Sequence, residues 1–469
     1  MSEQIQDTEK FRDSLATVTK EGKRVWIFPK KPSGKYYNAR TIVSIFLLAF
    51  LFGAPFIEVN GHPFIILNVL ERKFILFGIS FGTHDFYLLG LAMITIIVSI
   101  FLFTVVYGRL FCGWICPQTI FMEMVFRKIE YWIEGDANKQ RALKKASWSK
   151  EKVIKKFSKQ IIFFAIAFII SNFFLSYIIG MDQLIKIITD PPSQHLGGLF
   201  AITAFSGVFY FVFASFREQA CTMVCPYGRL QGVMLDQNSI VIAYDNVRGE
   251  PRGKIRKNVE QNLGDCIDCN LCVDVCPTGI DIRNGTQLEC VNCTACIDAC
   301  DAVMEKVNRP KGLIRYASKN EIEKKVRSIF TPRAIGYTVV LVLLMGLLTF
   351  LLLNRSMIDL SILRTPGLLY QEQPGDKISN LYDLKIVNKT FDPVSVKLTL
   401  KNYSDGEIKL IGNDLNVEPQ GVKEAKLFVI LSKKEANKLR TPITIEVTSN
   451  NKVIQTINTS FLGKVEHED

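Results

Sequence analysis

Eight cysteines between residues 266 and 300 carry the strongest chemical signal in this chain. They form two runs of four with the same spacing, C-x2-C-x2-C-x3-C, and Pro277 follows the first run. This doubled pattern is typical of bacterial ferredoxins with two [4Fe–4S] clusters, in which the fourth cysteine of each run binds the cluster of the other run. The spacing predicts one cluster on Cys266, Cys269, Cys272 and Cys300 and a second on Cys290, Cys293, Cys296 and Cys276.

Zinc is the alternative metal for these thiols. Zinc ribbons, however, use two C-x2-C pairs for each ion rather than two runs of four cysteines. The second run ends in Cys300-Asp301 and lacks the proline of the first, which leaves its fourth ligand intact. We therefore favour two iron–sulfur clusters.

The other four cysteines form two matching pairs, in FCGWICP at 111–117 and ACTMVCP at 220–226. Each pair has the spacing C-x3-C, precedes a proline and follows an apolar run. Cysteines at a helix N-terminus tend to have a lowered pKa, and soft thiolates bind Cu(I), zinc or an iron–sulfur cluster. The recurrence predicts a shared metal or redox site on Cys112, Cys116, Cys221 and Cys225. Buried structural thiols remain the alternative.

Three histidines could also take part in chemistry: His62, His84 and His195. Each lies on the side of the predicted membrane opposite the cysteines. They could bind copper or contact a quinol, but a single interfacial histidine is more often only a hydrogen-bonding residue.

The elements that position these residues are predicted to be membrane helices. The chain has 469 residues, of which 48% are hydrophobic, and this is too apolar for an ordinary soluble protein of its size. Five apolar segments reach the length of about 20 residues that a bilayer requires. They lie at 41–58, 86–107, 161–180, 199–216 and 334–354. A further apolar stretch, 63–82, is interrupted by charges and is interpreted as interfacial or re-entrant.

The positive charges predict how the chain crosses the membrane. Residues 1–40 contain nine Lys and Arg and residues 109–159 contain twelve, whereas 59–85 contain two and 181–198 one. By the positive-inside rule the N-terminus and all twelve cysteines are cytoplasmic. The net charge of +12 is thereby explained without nucleic acid as a partner.

The fold class is a multi-domain chain with a helical membrane bundle, an inserted ferredoxin-like domain and an Ig-like β-sandwich. Two hairpins of helices, each ending in a cysteine pair, suggest a pseudo-two-fold axis along the membrane normal. Short alternating segments between 372 and 463 predict the sandwich. The predicted parts are a cytoplasmic segment 1–40, a membrane domain 41–225, a cytoplasmic ferredoxin domain 226–333, a fifth helix 334–354 and a periplasmic tail 355–469.

With these motifs in place, the chain resembles the cytochrome c oxidase accessory proteins of the FixG/RdxA/CcoG group. The similarity lies in GRLFCGWICPQT (108–119), CTMVCPYGRLQ (221–231), YDNVRGEPRG (244–253), the double ferredoxin run and NLYDLKIVNKT (380–390). The cysteine–proline pairs also occur in quinol-linked ferredoxin subunits of nitrate respiration. The fifth helix and the sandwich favour the accessory family.

The resemblance implies a multi-pass protein of the bacterial cytoplasmic membrane that reduces Cu(II) to Cu(I) during assembly of a cbb-type oxidase. The implied enzyme class is an oxidoreductase, with copper held at the cysteine pairs. The implied partners are the oxidase or its copper-delivery factors, and the sequence does not identify the electron donor. Two alternatives remain: a quinol-linked electron conduit, and an assembly scaffold without catalytic activity.

Overall fold

The computed structural model describes residues 16–19, 21–68, 73–82, 85–254, 263–326, 330–367, 369–412, 414–436, 438–449 and 452–463. The chain divides into two compact units, Met1–Ile57 with Gly90–Leu347, and Glu58–Leu89 with Leu348–Asp469. The first unit contains all twelve cysteines, and the second is built mainly of strands.

The described helices are α1 (Lys35–Gly53), α2 (Phe86–Tyr107), α3 (Leu110–Trp114), α4 (Pro117–Thr119), α5 (Arg127–Ile133), α6 (Ala137–Lys145), α7 (Lys150–Ile179), α8 (Met181–Thr189), α9 (Leu196–Phe211), α10 (Pro226–Met234), α11 (Asn246–Gly249), α12 (Leu271–Asp274), α13 (Ala295–Lys306), α14 (Lys319–Lys324) and α15 (Pro332–Leu353). π-helical turns occupy Ile120–Phe126, Val212–Phe216 and Ala220–Val224. The first of these turns joins α4 to α5, so a helical segment begins at Pro117 and continues to Ile133.

Five helices in the described part of the chain are long and apolar enough to cross a membrane, as predicted. They are Lys35–Phe56, Phe86–Tyr107, Lys150–Ile179, Leu196–Phe216 and Pro332–Leu353. The third helix begins eleven residues before its predicted apolar segment, because Ser149 caps it by accepting a hydrogen bond from the Lys152 amide. Its charged first turns therefore continue the helix beyond the apolar part.

A buried charge network packs these first turns of α7 on α5. The Glu130 carboxylate accepts hydrogen bonds from the Arg217 guanidinium at 2.7 and 3.1 Å and from the Lys159 ammonium at 3.3 Å. Burial alone would raise the pKa of Glu130, but the charges of Arg217 and Lys159 outweigh it and lower that pKa to about 2. Glu134 pairs with Lys159 and with Lys156. These pairs compensate charges that would otherwise be too costly to bury.

The two cysteine hairpins exchange contacts in the manner of a pseudo-two-fold pair. The Tyr227 hydroxyl, two residues after Cys225, lies 2.7 Å from the Thr104 hydroxyl on α2. In the other direction, the Phe121 and Phe126 rings, on the helix that follows Cys116, pack on Phe213. The helix after each motif thus contacts the helix that precedes the other motif.

The second unit contains a sandwich of antiparallel strands. Its strands include β8 (Ile358–Arg364), β9 (Gln371–Gln373), β10 (Lys377–Asn388), β11 (Val394–Ser395), β12 (Lys397–Leu400), β13 (Glu407–Ile411), β14 (Asn416–Val417), β15 (Val422–Ser432), β16 (Thr441–Ser449) and β17 (Lys452–Phe461). One sheet has the order β13-β15-β10-β8 with β9 paired to β10, and another has the order β12-β16-β17. Ile443, Ile445 and Val447 alternate into the shared core, which is the period-2 pattern that predicted these strands.

The stretch 63–82, interpreted from its sequence as interfacial or re-entrant, contains strands of the second unit. The chain here forms β3 (Ile65–Asn68), β4 (Lys73–Leu76) and β5 (Ile79–Phe81) of one antiparallel sheet in the second unit, after the short hairpin of β1 (Glu58–Val59) and β2 (His62–Pro63). Phe77 and Gly78 join β4 to β5 with φ angles of 55° and 74°. A two-residue turn with both φ values positive is the turn that matches the twist of a β-hairpin. The remaining pair of strands, β6 (Val241–Tyr244) and β7 (Ile314–Ala317), lies in the first unit.

Asp85 links the 58–89 segment to the sandwich through buried charges. Its carboxylate, which has no exposed side-chain surface, lies 2.6 Å from the Arg355 guanidinium and 2.7 Å from the Lys389 ammonium. Burial alone would raise the pKa of Asp85, but hydrogen bonds from Lys389 and Arg355 outweigh it and lower that pKa below 3.8. The ionised carboxylate therefore stabilises the folded unit at neutral pH.

We expect the Asp85→Asn substitution to destabilise the second unit by about 3–5 kcal/mol, because it leaves the buried Arg355 without its counter-charge and Lys389 with Asp359 alone. Urea-dependent proteolysis of the full chain in detergent would measure this change. The difference in stability between the wild type and the Asp85→Asn variant should persist at neutral pH. It should vanish as the pH falls through the folded pKa of Asp85, because the wild-type carboxylate is then protonated.

The matched control is Asp414→Asn, which removes an exposed pair with Lys423 and should cost less than about 1 kcal/mol. Equal proteolysis of the two variants would contradict the proposed role of Asp85.

Candidate metal-cluster site

The first predicted ligand set, Cys266, Cys269, Cys272 and Cys300, surrounds one cavity. The space measures about 350 Å³, and its other walls include Tyr244, Ile267 and Leu313. Cys300 reaches it from α13, in the second cysteine run, because α13 packs on α12 of the first run. The fold therefore brings together the four thiols that the crossed ligand pattern requires.

The second predicted set, Cys276, Cys290, Cys293 and Cys296, lines a neighbouring cavity of about 330 Å³. Cys272 also borders this space, so the two cavities lie next to each other. The similar volumes fit two groups of the same size. Within the described residues, no three His, Cys, Asp or Glu side chains are grouped closely enough to hold a single metal ion.

The two runs have the same backbone geometry. Asp268 and Asn270 in the first run have φ angles of 52° and 58°, and Asn292 and Thr294, at the same offsets in the second run, have 53° and 65°. Such left-handed positions favour Asn and Asp, which tolerate them better than most residues. The tight turns they form let three cysteines of each run face one cavity.

Several of the thiols around these cavities are desolvated. Burial raises the pKa of Cys272, Cys290 and Cys300 to about 12. Cluster assembly at these positions must therefore release protons, since only thiolates bind iron.

The first cysteine pair lies directly against the second ligand set. A Cβ atom built on Gly113, inside CGWIC, would lie 2.4 Å from the Asn292 carbonyl oxygen and 2.7 Å from that of Val291. The Trp114 indole donates a hydrogen bond to the Tyr316 hydroxyl at 3.1 Å, and that hydroxyl lies 3.5 Å from the Asn292 carbonyl oxygen. Only a glycine allows this close approach of two backbones.

Two buried arginines join both cysteine pairs to the same ferredoxin loop. The Arg40 guanidinium donates hydrogen bonds to the Gly113 carbonyl at 3.0 Å and to the Cys293 carbonyl at 2.7 Å. The Arg109 guanidinium donates to the carbonyls of Gly228 and Leu288. Sequence analysis missed both residues, because Lys and Arg near the ends of membrane helices were read only as topology signals.

The two cysteine pairs lie near each other. The Gln231 side-chain amide, on α10 after the second pair, lies 3.4 Å from the Cys112 sulfur. Cys221 packs against a buried cluster that includes Val291 and Cys293, and its thiol interacts electrostatically with those of Cys112, Cys116 and Cys225. A single soft ion bound by three or more of these thiols is not preformed in the described chain.

The N-cap positions of α4 and α10 belong to Cys116 and Cys225. The other two thiols do not have the lowered pKa expected of a cysteine near a helix N-terminus, because burial raises the pKa of Cys112 to about 11 and that of Cys221 to about 12. These two free thiols are protonated at neutral pH, which favours metal binding with proton release over reactive thiolate chemistry.

The candidate histidines have structural contacts. The His62 ring stacks on Phe391 with centroids 3.8 Å apart, and the His195 ring nitrogen lies 3.1 Å from the Asp190 carboxylate. His84 lies outside the described residues. Neither described histidine belongs to a group that could hold a metal ion.

Three protein-family models match separate parts of the chain. The model of a 4Fe-4S dicluster domain matches residues 216–319, and that of a 4Fe-4S binding domain matches 89–139. A model of the Ig-like fold at the C-terminal end of FixG matches 348–464.

Three relatives match the chain over most of its length. The chain is 32% identical to protein RdxB of Cereibacter sphaeroides over 431 residues, covering 88% of this chain and 90% of RdxB. It is 34% identical to RdxA of the same organism over 382 residues, covering 78% and 80%. It is 31% identical to nitrogen fixation protein FixG of Rhizobium meliloti over 461 residues, covering 88% and 87%. A solved FixG-related protein from Vibrio parahaemolyticus aligns over 24% of this chain and 100% of its own, with 23% identity and a TM-score of 0.21.

In the crossed ligand sets, the fourth cysteine of each run binds the cluster of the other run. Substituting that cysteine should therefore remove the cluster of the other run. We expect Cys276→Ser, in the first run, to remove the second cluster, and Cys300→Ser, in the second run, to remove the first. Iron content should fall from about eight to about four atoms per protein in each variant. EPR of the reduced proteins should show a different surviving signal in each. The same surviving signal in both variants would contradict the assignment.

Proposed function

The chain belongs to the family of FixG, RdxA and RdxB, which are ferredoxin-type membrane proteins, and from this premise we propose that it reduces Cu(II) to Cu(I) at its cysteine pairs. The clusters, when bound by the two ligand sets, supply one-electron transfer. The chain itself holds the acceptor site against the second of these sets. Each turnover adds one electron from a reduced donor to one Cu(II) ion.

The observation that carries this proposal is the contact of Gly113 with Val291 and Asn292. It places the first cysteine pair against the loop that carries Cys290 and Cys293. Cys221 of the second pair packs against the buried cluster that includes Val291 and Cys293. An electron leaving this ligand set would therefore have a short path to the segments that carry the two cysteine pairs.

The chemistry of the acceptor site supports copper as the substrate. Thiolates are soft ligands that prefer Cu(I) to harder ions. A Cu(I) ion can be held by two thiolates, and each C-x3-C pair offers two. The site therefore needs no preformed group of three ligands in order to retain the reduced product.

The family resemblance is the basis for naming an oxidase as the recipient of the Cu(I) product. We propose that the Cu(I) product serves the assembly of a cbb-type cytochrome c oxidase. In this proposal the protein lies in the bacterial inner membrane with its cysteines in the cytoplasm and its Ig-like domain in the periplasm. The Lys and Arg excess of 1–40 and 109–159 supports this orientation.

The first test is a single-turnover assay without external reductant. Detergent-purified protein is reduced anaerobically, freed of reductant and mixed with Cu(II) and a Cu(I)-specific chelator. We expect about two Cu(I) ions per protein, one for each one-electron cluster, above the amount formed by oxidised protein. A variant with serine at Cys112, Cys116, Cys221 and Cys225 should retain its iron and lose most of this product.

The outcomes separate the alternatives. Unchanged Cu(I) formation in the serine variant would refute reduction at the cysteine pairs. Absence of Cu(I) with the wild type, together with reduction of its clusters by a quinol, would favour the quinol-linked conduit. Absence of both reactions would favour the scaffold.

A second substitution tests the contact without touching a thiol. Gly113→Ala forces a methyl group against two backbone carbonyls, so the loops must move apart. We expect Cu(I) formation to slow several-fold at unchanged iron content. The matched control is Gly90→Ala on α2, where a Cβ atom would have no neighbour within 4 Å. Equal rates in the two variants would rule out a role for the close contact.

A further inference from the structure

Arg40 and Arg109 are both almost completely buried, with 5% and 4% of their surface exposed. Arg40 lies in the first turns of α1, and Arg109 lies just after α2. In the described part of the chain, neither guanidinium forms a salt bridge; the acceptors of both are backbone carbonyl oxygens. Two positive charges without a salt-bridge partner are thus held in a desolvated region, which is costly unless something anionic is bound nearby.

Both positive charges face the second ligand set. Arg40 donates to the carbonyl of Cys293 at 2.7 Å. Arg109 donates to the carbonyl of Leu288, and its guanidinium lies 3.5 Å from the carbonyl oxygen of Cys290. Each arginine therefore contacts a ligand-bearing segment on one side and a cysteine-pair segment, at Gly113 or Gly228, on the other.

The first ligand set has a different electrostatic environment. Arg283 is the cation near Cys272, but its guanidinium lies 2.6 Å from the carboxylates of both Asp268 and Asp281. Its charge is therefore neutralised locally. Near the second set, Glu123 pairs with Arg127 at 3.2 Å, Glu289 interacts electrostatically with Arg109, and the Asp298 carboxylate accepts hydrogen bonds from the Tyr36 and Tyr37 amides. Two guanidiniums thus balance two carboxylates around the second set, whereas one guanidinium faces two carboxylates around the first, so the second set has the more positive surroundings.

This asymmetry has a direct redox consequence. A cluster bound by four thiolates is anionic and gains a further negative charge on reduction, and its potential depends on the charge and hydrogen bonds around it. A buried cation favours the reduced state, because little solvent screens the interaction. We infer that Arg40 and Arg109 are positioning residues that hold the midpoint potential at the second ligand set above that at the first. One electron then passes from the first set to the second, towards the cysteine pairs.

The inference rests on the electron-transfer role of the protein and not on copper as its substrate. The test is therefore an anaerobic, copper-free potentiometric titration of the detergent-purified full chain, followed by EPR. The two signals are assigned with the Cys276→Ser and Cys300→Ser variants. The variants compared are Arg40→Gln, Arg109→Gln and Arg40→Lys. The control is Arg141→Gln, since Arg141 is an exposed arginine that also donates to a backbone carbonyl.

In the wild type we expect two separate midpoint potentials, the higher one belonging to the second set. Arg40→Gln and Arg109→Gln should each lower that potential and leave the other unchanged. Arg40→Lys keeps the charge and should retain most of the wild-type value, whereas Arg141→Gln should change neither potential.

Several results would overturn the inference. One is a wild type in which the two ligand sets have the same midpoint potential, or in which the first set has the higher one. Another is a glutamine variant with full iron content and unchanged potentials. A third is an Arg40→Lys variant in which the midpoint potential at the second set is lowered as far as in Arg40→Gln. That result would assign Arg40 a role in geometry rather than in charge. If the glutamine variants lose iron, the order of the two midpoint potentials in the wild type and the potentials of Arg40→Lys still test the inference.

Discussion

The cysteine-bearing unit depends on one constraint, the need of the ferredoxin loop at 288–293 to satisfy its buried carbonyl groups. These carbonyls face membrane-domain residues rather than water, so their hydrogen-bond donors must come from that domain. Arg40 and Arg109 supply the donors, and Gly113 allows the backbones to approach closely. Unpaired carbonyls at this depth would each cost a few kcal/mol, so the loop and the cysteine pairs are held together as one structure.

A second contact of the same kind fixes the first membrane helix. The Asp298 carboxylate, on α13, accepts hydrogen bonds from the Tyr36 and Tyr37 amides at 3.0 and 2.8 Å. It caps the N-terminus of α1 from a helix that also carries Cys296 and Cys300. A carboxylate at this end of a helix also interacts favourably with the helix dipole. The position of α1, and with it that of Arg40, is thus set by the ferredoxin helix, which explains why these parts form one compact unit.

The second unit is organised by a separate buried charge. Asp85 accepts hydrogen bonds from Lys389 and Arg355, and Lys389 also pairs with Asp359. The 58–89 segment and the sandwich therefore fold together although almost 260 residues of chain separate them. The aromatic stack of His62 on Phe391 adds to the same association. A histidine that seemed available for metal or quinol chemistry is in this way part of the packing.

The sequence by itself determined the features that depend on spacing along the chain. The five membrane helices, the helix after Pro117 and the strands of the sandwich follow from local hydrophobic period, and the two cysteine runs follow from the geometry of a cluster. Only the tertiary structure decided which residues from distant segments meet. Arg40, Arg109, Asp298 and Asp85 had no local signal, because a charged residue is usually exposed and only its folded neighbours show that it is buried and paired. The same reason applies to two further features. Residues 65–68, 73–76 and 79–81 form strands because they pair within a β unit, and the pKa of Cys112 and Cys221 is raised because packing buries both thiols.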